Sequence, residues 1–211
     1  FTYPFDDPDW LKKLAIIALV SLIPIFGQIV MVGYVLETTR RVIQHETLPL
    51  PEAANFGELF SRGWKGFVVS LVYGLPAFLL ITIFSIVMAF SSNQGGGIWD
   101  VITFLTICLM CLPILYIIFC ALIVPAAMGR LAVSGEVREG LNFGKVVGLV
   151  RAAPSAYLMV FLGSLLSSFI AGLGTPIFAI GAAFTGAYAA VINAHLYGQA
   201  YSQAETIVNL H

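Results

Sequence analysis

Charge is scarce in this 211-residue chain. Only 10% of its residues are Asp, Glu, Lys or Arg, against about 25% in ordinary soluble domains. Ten basic and eleven acidic side chains leave a net charge of −1, so no basic field exists to attract nucleic acid. Three cysteines do not make an extracellular disulfide scaffold. With 59% hydrophobic residues and a mean hydropathy of +0.95, the chain is no disordered regulator. So few charges could not cover a water-soluble fold of this size. The chain reads as a multi-spanning membrane protein, a single polytopic domain over residues 1–211.

A spanning helix needs about 20 mostly apolar residues, at about 1.5 Å rise across a hydrocarbon core of about 30 Å. Residues 66–90, 98–128, 156–173 and 176–204 meet that length. Pro76 and Pro113 lie deep in these runs and predict kinks that neighbouring helices tolerate. A fifth apolar stretch, 14–36, is interrupted by Pro24 and Gly27, which turn or kink a helix.

Lysine and arginine are missing from two connections, residues 91–100 and 172–176. The ten basic residues fall at Lys12 and Lys13, Arg40 and Arg41, Arg62 and Lys65, and Arg130, Arg138, Lys145 and Arg151. The positive-inside rule puts these groups, with both termini, in the cytoplasm and the two charge-free connections outside. Both flanks of 14–36 then share one side, which predicts a re-entrant, V-shaped helix pair. The alternative is a kinked full span with Lys12 and Lys13 outside. Trp10, Trp64 and Trp99 each fall at a predicted water–hydrocarbon boundary, as interfacial indoles do. The chain opens on Phe1 rather than Met, so a short N-terminal piece is expected to be missing, and the remaining sequence has no cleavable signal pattern.

Asn55-Phe56-Gly57 recurs as Asn142-Phe143-Gly144, 87 positions later. Each copy leads into a short mixed basic–apolar stretch and then a span. Residues 57–67 and 144–153 read as amphipathic helices lying in the cytoplasmic interface, with Asn55 and Asn142 as N-caps. The chain parses as a parallel duplication with halves of about 11–100 and 101–211.

Particular residues then suggest a family. Tyr3-Pro4-Phe5-Asp6-Asp7-Pro8-Asp9-Trp10-Leu11-Lys12-Lys13 opens the chain. Leu22-Ile23-Pro24-Ile25-Phe26-Gly27, Gly33-Tyr34, Phe56-Gly57-Glu58-Leu59-Phe60 and Tyr197-Gly198-Gln199-Ala200-Tyr201 follow. Together they resemble the prokaryotic integral-membrane proteins of domain-of-unknown-function family 4013, over almost the whole length. The resemblance implies a bacterial or archaeal cytoplasmic-membrane protein and lends no residue a catalytic role.

His195 is the one charged or imidazole side chain set well inside a span. Its isolation argues against a proton-coupled pump, which needs carboxylates or a histidine chain at depth, and leaves neutral solute passage open. One of its ring nitrogens could ligate a haem, a pigment or a metal. The simpler reading places it, with Asn193, Tyr197 and Gln199, at the wet end of the last helix. Cys108 and Cys111 form a C-x-x-C inside an apolar span, with Cys120 beyond. There they act as small hydrophobes rather than redox groups, and nothing completes a metal set. Ser164, Ser167 and Ser168 could pair with His195 as a hydrolase dyad, but no nucleophile turn accompanies them.

The clearest pattern is steric. Ala182, Gly186, Ala190, Ala194, Gly198 and Ser202 recur every fourth residue in the last span, and Gly163, Ser167 and Ala171 do so in the span before it. Small residues let helix backbones approach in lipid. Two uses follow: an internal hairpin between these spans, or a face for a partner protein or flat cofactor. Lys12, Lys13, Arg40, Arg41, Arg62, Lys65, Lys145 and Arg151 form the membrane-surface set. Of these, Arg62, Lys65, Lys145 and Arg151 could attract anionic head groups, but as four charges dispersed along the sequence they read as topology markers rather than a lipid pocket.

The expected fold is an all-α membrane bundle of four spanning helices, a Pro/Gly-broken N-terminal helix pair and two interfacial amphipathic helices. The expected role is non-catalytic: an accessory or scaffolding subunit that packs on a larger membrane complex or organises lipid, with no cofactor. A small oligomeric transporter or channel is the alternative, supported by Gln28, Thr82, Ser85, Thr103 or Asn193 if they line a cavity. A pigment- or haem-binding subunit using His195 stands third.

Overall fold

The computed structural model describes residues 3–48, 50–52, 55–93 and 96–209. Two residues of the predicted outward connection, 94 and 95, and the first residue lie outside that set. Every regular element among the described residues is helical: α1 (Trp10–Ser21), α2 (Phe26–Ile43), α3 (Phe56–Asn93), α4 (Ile98–Leu109), α5 (Cys111–Ser134), α6 (Val137–Gly140), α7 (Phe143–Ala152), α8 (Pro154–Gly172) and α9 (Phe178–Asn209). Four segments are long and apolar enough to cross a membrane: Phe56–Ser91, Ile98–Ser134, Pro154–Gly172 and Ala179–Asn209. They coincide with the four predicted spans, and the protein is a multi-pass all-α membrane protein.

The chain divides into two compact units, Phe1–Val69 with Leu122–His211, and Ser70–Ala121. In the larger unit α9 packs against α1, α2, α7 and α8. Leu14, Ile17, Val30, Tyr34, Leu50, Leu59, Ala187 and Val191 form its buried core. The predicted break at Pro24 is a full reversal. Gln28 Nε2 donates to Ser21 O at 3.0 Å, and a Cβ on Gly27 would overlap the carbonyl of Val20. Ile25 makes the turn with φ of 64°, a left-handed conformation that is costly for a β-branched residue. Residues 14–36 therefore form a helical hairpin, not the kinked full span held as the alternative. At 12 residues α1 is about 18 Å long, too short to cross.

The two predicted interfacial helices meet different fates. Residues 144–153 do form a separate helix, α7, whose N-cap Asn142 accepts from Lys145 N at 3.3 Å. Residues 57–67 do not: they are the first turns of α3, which runs unbroken for 38 residues. The difference is one proline. Pro154 opens α8 after Ala153, since its ring cannot continue the preceding helix. Phe67 stands 87 positions earlier, at the matching place after residues 57–66, and lets the helix pass. Proline also explains the break at Met110 between α4 and α5. Pro113 has no N–H for the carbonyl of residue 109 and clashes with it, so a break stands where the sequence predicted a kink.

The smaller unit consists of the later part of α3, α4 and the first part of α5. Tyr116 donates to the Tyr73 carbonyl at 2.9 Å, tying one helix to the other. Among its described residues only Tyr73, Ala77, Ser91, Thr106 and Pro113 are buried.

Candidate functional site

The basic residues of α2 and α3 converge on one carboxylate. Glu37 lies in the last turns of α2 and is 7% exposed. Arg40 Nη2 reaches its Oε1 at 2.6 Å and Arg40 Nε its Oε2 at 3.0 Å. Arg41 Nε lies at 3.4 Å from Oε1, and Arg62 of α3 also donates to Oε2. Glu58 holds Arg62 from the other side at 2.8 Å, and Glu46 approaches Arg41 at 3.6 Å. Burial alone would raise the Glu37 carboxyl. Hydrogen bonds from Arg40 and Arg41 and the charges of Arg62 and Arg40 overcome this and hold it below the ordinary carboxylate range. Arg40 is pushed up, chiefly by its hydrogen bond to Glu37.

This convergence requires α2 and α3 to touch backbone to backbone. Gly33 faces Leu59 and Gly63, and Gly63 faces Ile29 and Gly33. A second cluster joins α5, α6 and α7. Glu139 binds Arg130 and Lys145 at 3.1 Å. Those two cations hold its carboxyl below the ordinary range. A third is buried: Asp7, 1% exposed, takes Lys13 Nζ at 2.7 Å, and Lys13 also donates to Leu50 O at 3.1 Å. Lys13 is thus an internal tie, while Lys12, Lys65, Lys145 and Arg151 are exposed.

The α9 ladder lies against the N-terminal helix pair. Thr39 of α2 donates to Ala194 O at 3.1 Å, and a Cβ on Gly198 would stand 2.7 Å from Val42 Cγ1 and 3.0 Å from Thr39 O. Ala182 and Gly186 line a cleft of about 440 Å³ with Ser21, Leu22, Gln28 and Met31. Ala190, between them, is half-buried. The α8 set faces α9 on another side. Gly163 abuts Leu196, Ser167 Oγ lies 3.0 Å from Asn193 Oδ1, and Thr185 donates to Ala171 O at 2.8 Å. These placements separate two substitutions. Gly186→Ala, with nothing within 4 Å of the new carbon, is expected to be neutral or to stabilise by up to about 1 kcal/mol. Gly198→Ala is expected to cost about 1–3 kcal/mol through overpacking. Thermal unfolding in detergent reads both, and equal effects would contradict this packing.

His195 stacks on Tyr3 with ring centroids 4.0 Å apart. Both line an open cleft of about 650 Å³ with His45, Glu46, Gln199 and Ser202. The Ser202 hydroxyl is buried without a hydrogen-bond partner among the described residues. His45 closes α2 with φ of 54°, at the position beyond a helix end where glycine is usual. Among the described residues no three His, Cys, Asp or Glu side chains cluster as a metal set. Cys108 and Cys111 are exposed on either side of the α4–α5 break, and Cys111 Sγ lies 3.3 Å from Cys108 O. Of the possible cavity residues, Gln28 lines a cleft. Thr82 and Ser85 bond back to Phe78 O and Ile81 O, and Asn193 meets Ser167.

A family model described as a protein of unknown function, DUF4013, matches residues 16–193. The chain belongs to the DUF4013 family. No curated protein and no solved structure matches it. In this DUF4013 protein the matched stretch holds Glu37, Arg40, Arg41, Arg62, Glu139 and the α2–α3 contact. Tyr3, Asp7, His195 and Gln199 fall outside it. Sequence reading passed over Glu37, Asp7 and His45. For Glu37 a signal existed, since a carboxylate three and four residues before Arg40 and Arg41 shares their helix face. For Asp7 and His45 no local pattern marks the role.

Proposed function

We propose that this DUF4013 protein is a non-catalytic accessory or scaffolding subunit that docks on a larger membrane protein complex, with its basic end in the cytoplasm of a prokaryotic inner membrane. The observation that supports it is the Ser70–Ala121 unit. Its helical segments bury only five described residues and expose Phe78 at 68%, Phe104 at 66% and Leu115 at 61%, apolar surface available to a partner's helices. The role needs no cofactor. Photo-crosslinkers at Phe78 and Phe104, followed by purification from native membranes in mild detergent, test it. A stoichiometric partner joined through both positions is the expected result. Recovery of the protein only as a bare homo-oligomer overturns it.

A second reading, a small transporter or channel, draws on the cleft that Gln28 and Ser21 line beside the hairpin turn. Discontinuous helices and polar groups of this kind line solute sites in many transporters. Reconstituted vesicles showing no solute flux would end it. The third, tetrapyrrole ligation by His195, ends if the purified protein is colourless and metal-free.

A further inference from the structure

The cationic side chains that lie dispersed along the sequence are gathered in space. Arg40 from α2, Ser61, Arg62 and Lys65 from α3, and Ser134 from the end of α5 line one cleft of about 420 Å³, with Glu58 as the carboxylate on its wall. Much of the two guanidinium forks is engaged by Glu37 and Glu58. Lys65 is different. It is exposed and donates to Gly135 O at 2.8 Å, which leaves ammonium protons for another acceptor. The Ser61 hydroxyl adds one more donor for a tetrahedral oxyanion, whereas Ser134 donates its own to Arg130 O at 2.8 Å.

The depth of the cleft is marked by its neighbours. Trp64, half-exposed and adjacent to Lys65, stacks on Phe67 at 5.6 Å, the arrangement of an indole at a headgroup boundary. Val133, 47% exposed, forms part of the cleft wall and offers apolar surface beside the cations. A group bound here would have its charge at the headgroup level and hydrocarbon next to it.

We infer that this cleft seats the phosphate of an anionic phospholipid, with Lys65 as the principal contact and Arg40, Arg62 and Ser61 around it. The inference is independent of the docking proposal, since a protein without partners could hold the same lipid. It is tested on the detergent-purified full chain by native mass spectrometry with phosphatidylglycerol, phosphatidylcholine and inorganic phosphate as separate probes.

Phosphatidylglycerol is expected to bind at least about fivefold more tightly than phosphatidylcholine, the size expected of a single basic contact. Lys65→Gln is expected to remove about that factor, Lys65→Arg to restore it, and Arg151→Gln, an exposed cation outside the cleft, to leave it unchanged. Equal binding of the two lipids by the unaltered protein overturns the inference, whatever the variants do. Equal losses in Lys65→Gln and Arg151→Gln also overturn it, because they indicate general surface charge. Inorganic phosphate binding as tightly as the lipid overturns the lipid as the source of the phosphate.

Discussion

Gly63→Leu is expected to prevent recovery of the folded protein, and Gly33→Leu to do the same. At both positions the Cβ would run into backbone of the facing helix: Leu59 O and C from Gly33, and Ile29 O and C from Gly63. A side chain cannot rotate away from a clash at its own Cβ, so α2 and α3 must separate. Overpacking alone costs about 1–3 kcal/mol. Separation would add loss of the close contact on which membrane helix pairs depend, and would pull Arg62 from Glu37. A total above about 3 kcal/mol is therefore expected, a large fraction of typical domain stability of about 5–15 kcal/mol. Gly57→Leu is the matched control, since nothing lies within 4 Å of its Cβ position. Size-exclusion profiles and thermal unfolding in detergent compare the three. A Gly63→Leu protein melting like the parent would refute the close crossing.

The second large effect is expected at Glu37. Glu37→Leu leaves Arg40, Arg41 and Arg62 facing one another without their shared acceptor. Removing one member of a buried ion pair costs about 3–5 kcal/mol. The guanidinium side chains keep 23–35% exposure, so solvent screening brings the expected loss to about 2–4 kcal/mol. The pH dependence has a definite sign. The carboxyl is held below its ordinary value in the folded protein. Its contribution is therefore complete above the unfolded value, about 4.3, and is lost as pH falls through the lower folded value. Glu139 acts in the same direction. Unfolding measured from neutral to acidic pH should show stability falling below about pH 4. Glu37→Gln should flatten part of that fall, and Glu139→Gln a further part. An unchanged acid limb in the double variant would remove these carboxylates from the explanation.

Most of the fold was legible because its causes are local. A run of about 20 apolar residues must span whatever its neighbours are. Pro24 ends α1 because proline lacks an N–H, and Asn142 caps α7 because a side-chain oxygen three residues away suits a free amide. The error at residues 57–67 is local too. Likeness to 144–153 suggested a separate helix, whereas the presence of Pro154 and its lack of a counterpart at Phe67 decide which stretch breaks.

The candidate site was legible only in its parts. Basic residues at Arg40, Arg41, Arg62 and Lys65 were readable as one end of the bundle, from charge alone. That three of the arginines share Glu37, with Arg62 25 positions away, depends on Gly33 and Gly63 bringing two backbones together. That Lys13 is half-buried and tied inward rather than free at the surface depends on Asp7 and on a carbonyl 37 positions further on. The α9 ladder shows the division most plainly. Its four-residue spacing announced a close-packing face, but spacing along one helix carries no information about what lies opposite. Only the tertiary structure set Ala194 and Gly198 against Thr39 and Val42, because contacts across 155 positions of chain arise when both helices are already in place.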